Sequence, residues 1–91
     1  MRTFSRTSQF KKDVKLAQKR GKDLTKLKAV MDQLIEGEPL PAQCRDHPLR
    51  GEFSGSRDCH IESDWILIYT LTEKGTHVRF ERTGTHSDLF R

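Results

Sequence analysis

Two rhythms of apolar residues divide the chain. From Gln9 to Arg20, Phe10, Val14 and Ala17 recur at the spacing of a helix that buries one face. Thr7 or Ser8 can cap its start, and Gly21 suits its end. Asp23 caps a second predicted helix, in which Leu24, Leu27, Met31, Leu34 and Ile35 share a face; Gly37 and Pro39 end it. The short connection makes the two helices a hairpin. Ahead of them, Arg2–Arg6 is short enough to be an edge strand. Residues 38–50 contain Pro39, Pro41 and Pro48 and read as a loop.

Beyond the loop the period becomes two. Gly51–Phe53 is expected to be a short strand, followed by a turn at Ser54–Ser56. Arg57–Glu62 alternates, with Cys59 and Ile61 on one face and Asp58, His60 and Glu62 on the other. Ser63–Asp64 turns the chain into Trp65–Thr72, which is apolar on both faces and so predicts a central strand. A turn at Glu73–Thr76 leads to His77–Thr83, with Val78 and Phe80 inward. Gly84 breaks the pattern, and Thr85 caps a last helical turn through Leu89 and Phe90. The order predicts an α+β fold: a helix hairpin packed on a small antiparallel sheet, with a short C-terminal helical turn.

Length limits what such a fold can host. Ninety-one residues form one domain, spanning 1–91, and exclude a dinucleotide-binding fold or a barrel enzyme. The longest uncharged apolar stretch, Trp65–Leu71, is too short to cross a bilayer. Arg2 and Arg6 bracket only Thr3, Phe4 and Ser5, so no apolar leader is expected. The expected compartment is therefore the cytoplasm, with no membrane partner. Cys44 and Cys59 form no C-x-x-C pair and no zinc pattern, so they are expected to be free thiols.

Charge sharpens this picture. Residues 1–30 hold ten Lys/Arg against Asp13 and Asp23, a net +8. Residues 31–91 hold seven Lys/Arg against eleven Asp/Glu, a net −4. Lys12, Lys15, Lys19, Lys22 and Lys26 fall three or four apart and form a stripe on the exposed side of the hairpin. A concentrated positive field attracts polyanions, nucleic acid first among them.

The meander also gathers chemistry. Alternate turns of antiparallel strands reach opposite ends of a sheet, so Arg82 and His86 return to the Ser63–Asp64 end. The loop carrying His47 enters there too. His47, His60, Asp64, Arg82 and His86 are thus expected to converge, while His77 lies at the far end. Imidazoles titrate near neutrality and can take and give protons, and arginine stabilises charge growing on phosphoryl oxygens. RNA brings its own nucleophile, the 2′-hydroxyl, so such a set suits metal-free cleavage of a phosphodiester. Singly, each residue also has an ordinary explanation: a surface histidine, turn chemistry at Asp64, or an ion pair for Arg82. A metal site built from the histidines is disfavoured by their spacing and by the repulsion from Arg82.

Four segments together resemble a known family. They are Asp13-Val-Lys-Leu-Ala-Gln-Lys-Arg20, Asp46-His-Pro-Leu-Arg-Gly51, Arg57-Asp-Cys-His-Ile-Glu-Ser-Asp-Trp-Ile-Leu-Ile-Tyr69, and Arg79-Phe-Glu-Arg-Thr-Gly-Thr-His86 with Leu89-Phe90. This pattern is similar to the YafQ toxins of the RelE/ParE superfamily in type II toxin–antitoxin systems, and it spans nearly the whole chain. A longer turn before Val78 and the terminal Arg91 depart from it. The resemblance implies a RelE-like fold and a ribosome-dependent endoribonuclease (an mRNA interferase) that needs no cofactor and inhibits translation by cutting A-site mRNA on the 70S ribosome. It also implies a DinJ-type antitoxin as partner, with operator DNA bound only by the toxin–antitoxin complex. Residue by residue, it assigns catalytic work to His47, His60, Asp64, Arg82 and His86, with His86 as general acid. His47 is the first candidate for base and Asp64 the competitor. Trp65 or Phe90 is expected to pack against a nucleotide, and the lysine stripe to hold ribosomal RNA. The rival readings are a ParE-like topoisomerase poison and a non-catalytic nucleic-acid-binding module.

Overall fold

The computed structural model describes residues 1–90; Arg91 lies outside them. Helix α1 (Ser8–Lys19) starts where the Thr7 hydroxyl accepts the Phe10 N–H, satisfying a donor that a helix end leaves open. Helix α2 (Leu24–Glu36) starts where the Asp23 carboxylate accepts the Thr25 N–H. It ends at Gly37, whose φ of 78° lies in the left-handed region that glycine enters without steric cost.

Five strands form one sheet in the order β1 (Thr3–Arg6), β5 (His77–Gly84), β4 (Trp65–Thr72), β3 (Arg57–Glu62) and β2 (His47–Pro48). The expected antiparallel pairing holds from β2 to β5, but β1 pairs parallel to β5. The helix hairpin and the whole meander separate those two strands, so no tight turn forces them antiparallel. A second correction concerns Gly51–Phe53. It is a 3₁₀ turn rather than a strand, closed by the Ser54 N–H on the Gly51 carbonyl. Gly51 has a φ of 70°, outside the extended region, and pairing with β3 moves upstream to His47 and Pro48. A final one-turn helix, α3 (His86–Leu89), begins with a Thr85–Asp88 capping box.

Two β-bulges set which side chains face which way. In β3 the register shifts between His60 and Glu62, so Glu62 lies opposite Trp65 on the helix side, not beside His60 as strict alternation predicts. In β5 the register shifts at Glu81. Val78 and Phe80 are buried toward the helices, but Arg82 pairs with Ile68 and falls on the other face. A bulge of this kind re-aims a side chain without ending the strand.

The core is double. Phe10, Ala17, Leu27, Val30 and Leu34 pack with Cys59, Trp65, Leu67, Tyr69, Val78 and Phe80 on the helix side. On the opposite face, Ile66 and Ile68 are covered by Leu89, with Leu49 and Phe53 beside them. The second cluster is small, and His47, His60 and His86 are arranged around it.

Candidate active site

Cross-strand register builds the site. His47 lies opposite Asp58, Asp58 opposite Ile68, and Ile68 opposite Arg82. Directly opposed residues share a face, so this row lies across the sheet side away from the helices. One row along, His60 faces Ile66, which in turn faces Gly84.

The loop into β2 is anchored at Asp46. Its Oδ1 accepts the Tyr69 hydroxyl at 2.7 Å and the Arg57 Nε at 3.1 Å. His47 follows, half exposed. Its Nδ1 lies 2.7 Å from the Arg45 carbonyl oxygen and 3.0 Å from Asp58 Oδ1. A carbonyl only accepts, so the ring proton sits on Nδ1 and the Nε2 lone pair is left for chemistry.

His86 is the first residue of α3. Asp64 Oδ1 accepts its backbone N–H at 3.0 Å and lies 2.9 Å from its ring Nδ1. These bonds hold the Asp64 carboxyl below its ordinary range. Asp64 therefore stays ionised and fixes a proton on Nδ1. The His60 ring packs against His86 at 5.6 Å between centroids. On the far side of His86, Phe90 lies 6.0 Å away and itself meets the edge of Phe53 at 5.7 Å. Phe90 is 37% exposed and keeps surface for an incoming ring.

The structure adds a residue that the alternation placed on the right face but did not single out. Asp58 is 4% exposed, and its Oδ1, although 3.0 Å from His47 Nδ1, receives no hydrogen bond among the described residues, because that nitrogen's proton is directed at the Arg45 carbonyl. Burial pushes its carboxyl up, while His47, His60 and His86 pull it back. A buried carboxylate without a full set of bonds is costly to keep, and this one is faced by three imidazoles. The Asp-x-His spacing within β3 was the available signal, because residues two apart in a strand share a face.

One expectation needs correction and two are refined. Trp65 offers no face to a nucleotide: it is 1% exposed, and its Nε1 donates to Thr83 Oγ1 at 2.9 Å. It sits on the helix side of β4, where apolar burial outweighs any surface role. Arg82 stays within its cross-strand row, but its guanidinium is engaged by buried Asp13, with Nε to Oδ2 at 2.8 Å and Nη2 to Oδ1 at 3.1 Å. Asp13 Oδ2 also accepts the Thr83 N–H. The lysine stripe divides. Lys12, Lys15 and Lys19 are exposed on α1, whereas Lys22 and Lys26 both bind Glu62, which the β3 bulge turns toward them. His77, expected apart from the site, bonds Thr3 and Ser5 hydroxyls at β1.

Among the described residues, no group of three or more His, Cys, Asp and Glu is arranged to hold a metal ion. No helix among the described residues is long and apolar enough to cross a membrane. What the arrangement offers is acid–base chemistry from two imidazoles, each with Nδ1 occupied and with Nε2 unbonded among the described residues.

Known proteins share both the sequence and the fold. Residues 2–91 match the family described as bacterial toxin of type II toxin-antitoxin system, YafQ. The chain is 58% identical over 90 residues to the mRNA interferase toxin YafQ of Escherichia coli (strain K12), covering 98% of this chain and 96% of that protein. The crystal structure of the E. coli DinJ–YafQ complex superposes with a TM-score of 0.91 at 55% identity, covering 100% of both chains. A metal-bound toxin from Helicobacter pylori superposes with a TM-score of 0.90 at 36% identity, covering 99% of this chain and 100% of that one. The chain belongs to the YafQ family of bacterial toxins from type II toxin–antitoxin systems.

Proposed function

We propose that this toxin is a ribosome-dependent endoribonuclease that cuts messenger RNA in the A site. The supporting observation is a pair of imidazoles whose Nδ1 atoms are held by different partners. His47 has Nδ1–H against a neutral carbonyl and an open Nε2, which suits a base. His86 has Nδ1–H against an ionised carboxylate, which suits an acid. In the proposed reaction, His47 Nε2 takes the proton of the 2′-hydroxyl, and that oxygen attacks the neighbouring phosphorus. The bond from phosphorus to the 5′-oxygen breaks as His86 Nε2 gives that oxygen its proton. The products are a 2′,3′-cyclic phosphate and a free 5′-hydroxyl. Asp64 serves as the holder of His86 rather than as a competing base.

Asp58 stabilises charge on His47 and His60, and His60 carries phosphate or shares the proton traffic. Arg82 keeps Nη1 without a hydrogen bond among the described residues, and offers it to the phosphorane oxygens. Phe90 receives a base by stacking. Every group in this scheme belongs to the chain or to the RNA, and none of its steps calls on a metal. Lys12, Lys15 and Lys19 grip ribosomal RNA, and a DinJ-type antitoxin neutralises the toxin in the cytoplasm. The name of the E. coli relative and its complex with DinJ support the substrate and the partner.

Primer extension on a translated message, with toxin and with ribosomes present or absent, tests the proposal. Cleavage within codons only during translation is expected. Growth arrest without RNA cleavage would favour a topoisomerase poison.

A further inference from the structure

A one-turn helix has no stability of its own, because too few hydrogen bonds offset its nucleation cost. Yet α3 carries His86 at its start, and Phe90 follows its end. Something outside α3 must hold it. Leu89 provides one anchor through the small cluster with Ile66 and Ile68. A second anchor is polar and centres on Asp88.

Asp88 Oδ2 accepts the Thr85 N–H at 3.0 Å and Arg20 Nη1 at 2.6 Å, while Oδ1 accepts Arg20 Nη2 at 3.3 Å. The Asp88 N–H returns to Thr85 Oγ1 at 3.1 Å. Arg20 is itself placed as the C-cap of α1, its N–H on the Leu16 carbonyl. Gly84 leaves room for this cluster: a β-carbon there would lie 2.9 Å from Asp88 Oδ2 and 3.0 Å from Asp88 Cβ. An isolated surface ion pair contributes little. This one is a two-pronged guanidinium–carboxylate pair whose acid also caps the helix, the geometry in which such pairs count.

We propose that Arg20 and Asp88 are positioning residues that tie the histidine-bearing turn to α1 and so hold His86 in its two hydrogen bonds with Asp64. Neither residue touches the reacting atoms. They act through the placement of α3: the Asp64 contacts at 3.0 and 2.9 Å to the His86 backbone and ring are both lost if the turn shifts by an ångström. The consequence for catalysis rests on the reading of His86 as the general acid.

The test uses the full chain with Arg20→Ala, Asp88→Ala, Asp88→Asn and His86→Gln, each checked for a native circular dichroism spectrum. Two readouts are taken: the His86 Nδ1–H resonance, and kcat and KM for cleavage of a translated message. Asp88→Ala should broaden or shift the resonance and lower kcat by about 10- to 100-fold with KM little changed, the scale that misplacement of about 1 Å produces. Arg20→Ala, at a more exposed residue, should do the same to a smaller degree. Asp88→Asn keeps an oxygen for the Thr85 N–H and should fall between wild type and Asp88→Ala. Adding Arg20→Ala to Asp88→Ala should cost nothing further, because the two act as one unit. An unchanged resonance and unchanged kcat in folded Asp88→Ala and Arg20→Ala overturn the clamp. If His86→Gln retains full cleavage, the general-acid reading fails instead, and the resonance alone decides whether the clamp holds His86.

Discussion

At the scale of single residues, what separates His47 from His86 is the atom that accepts each Nδ1 proton. The Arg45 carbonyl accepts the first, with Asp58 3.0 Å away; the ionised Asp64 carboxylate accepts the second. His47→Ala and His86→Gln should each lower cleavage by about 10²- to 10⁴-fold, read in single-turnover assays on translated message. Asp58 makes the opposite kind of prediction. Its folded pKa is raised, so keeping it ionised at neutral pH costs stability. Asp58→Asn should therefore unfold in urea no earlier than the parent. It should still cleave less, read in the same single-turnover assay, because the imidazoles lose a negative neighbour. Trp65→Phe should do the reverse. Losing the Nε1 bond to Thr83 and part of a buried ring should cost about 1–3 kcal/mol in urea titrations and leave cleavage by the folded protein intact. Cys44 and Cys59 are both buried, and burial raises both thiols. Neither should be alkylated in the native protein at pH 8, and both should react once it is unfolded, as mass spectrometry would record.

Elements act here through two bulges and one short helix. The Glu81 bulge moves Arg82 out of the buried alternation of Val78 and Phe80, and the His60–Glu62 bulge sends Glu62 to Lys22 and Lys26. The short helix depends on Asp88, whose carboxyl is held well below its ordinary range by the Arg20 guanidinium and the Thr85 N–H. A depressed acid contributes stability above its unfolded pKa, about 3.9 for aspartate, and loses it as pH falls toward the folded value. Protection of the α3 amides in hydrogen exchange should thus decline below about pH 4 in the wild type, with little such dependence in Asp88→Asn. Gly84→Ala should loosen the same amides at neutral pH, because its new methyl meets Asp88.

For the whole molecule, the decisive feature is that two surfaces lie on different sides of the sheet. The exposed lysines of α1 belong to the helical layer, while the histidines border the small cluster on the opposite face. A substrate assembly that engages both must surround the protein, as a ribosomal site would. Replacing Lys12, Lys15 and Lys19 with alanine should weaken ribosome binding and reduce the slope of log affinity against log salt by about 0.7–0.9 per lysine. Replacing Lys22 and Lys26 should change that slope less, because Glu62 already partners them. Equal slopes for the two sets would argue against the division of the stripe.

Periodicity and capping chemistry were enough to read the helix hairpin, the central strand and the last helical turn, since these follow from local rules: Thr7, Asp23 and Thr85 as caps, Gly37 as a stop, and an unbroken apolar run at Trp65–Tyr69. The meander alone also brought His60, Asp64 and His86 to one end of the sheet. What the chain order could not reveal are choices made between distant elements. Strict alternation puts Glu62 beside His60, and only cross-strand registry shows the bulge that removes it. An ion pair for Arg82 is readable, but its partner, Asp13, is identified only once α1 packs. Trp65 reads as a stacking residue until the helix layer covers it. Asp58 is one of thirteen acidic residues until the fold withdraws it from water and surrounds it with three imidazoles. Local hydrogen bonding and hydrophobic period are written along the chain; burial and charge pairing depend on which surfaces meet, and that the tertiary structure alone decided.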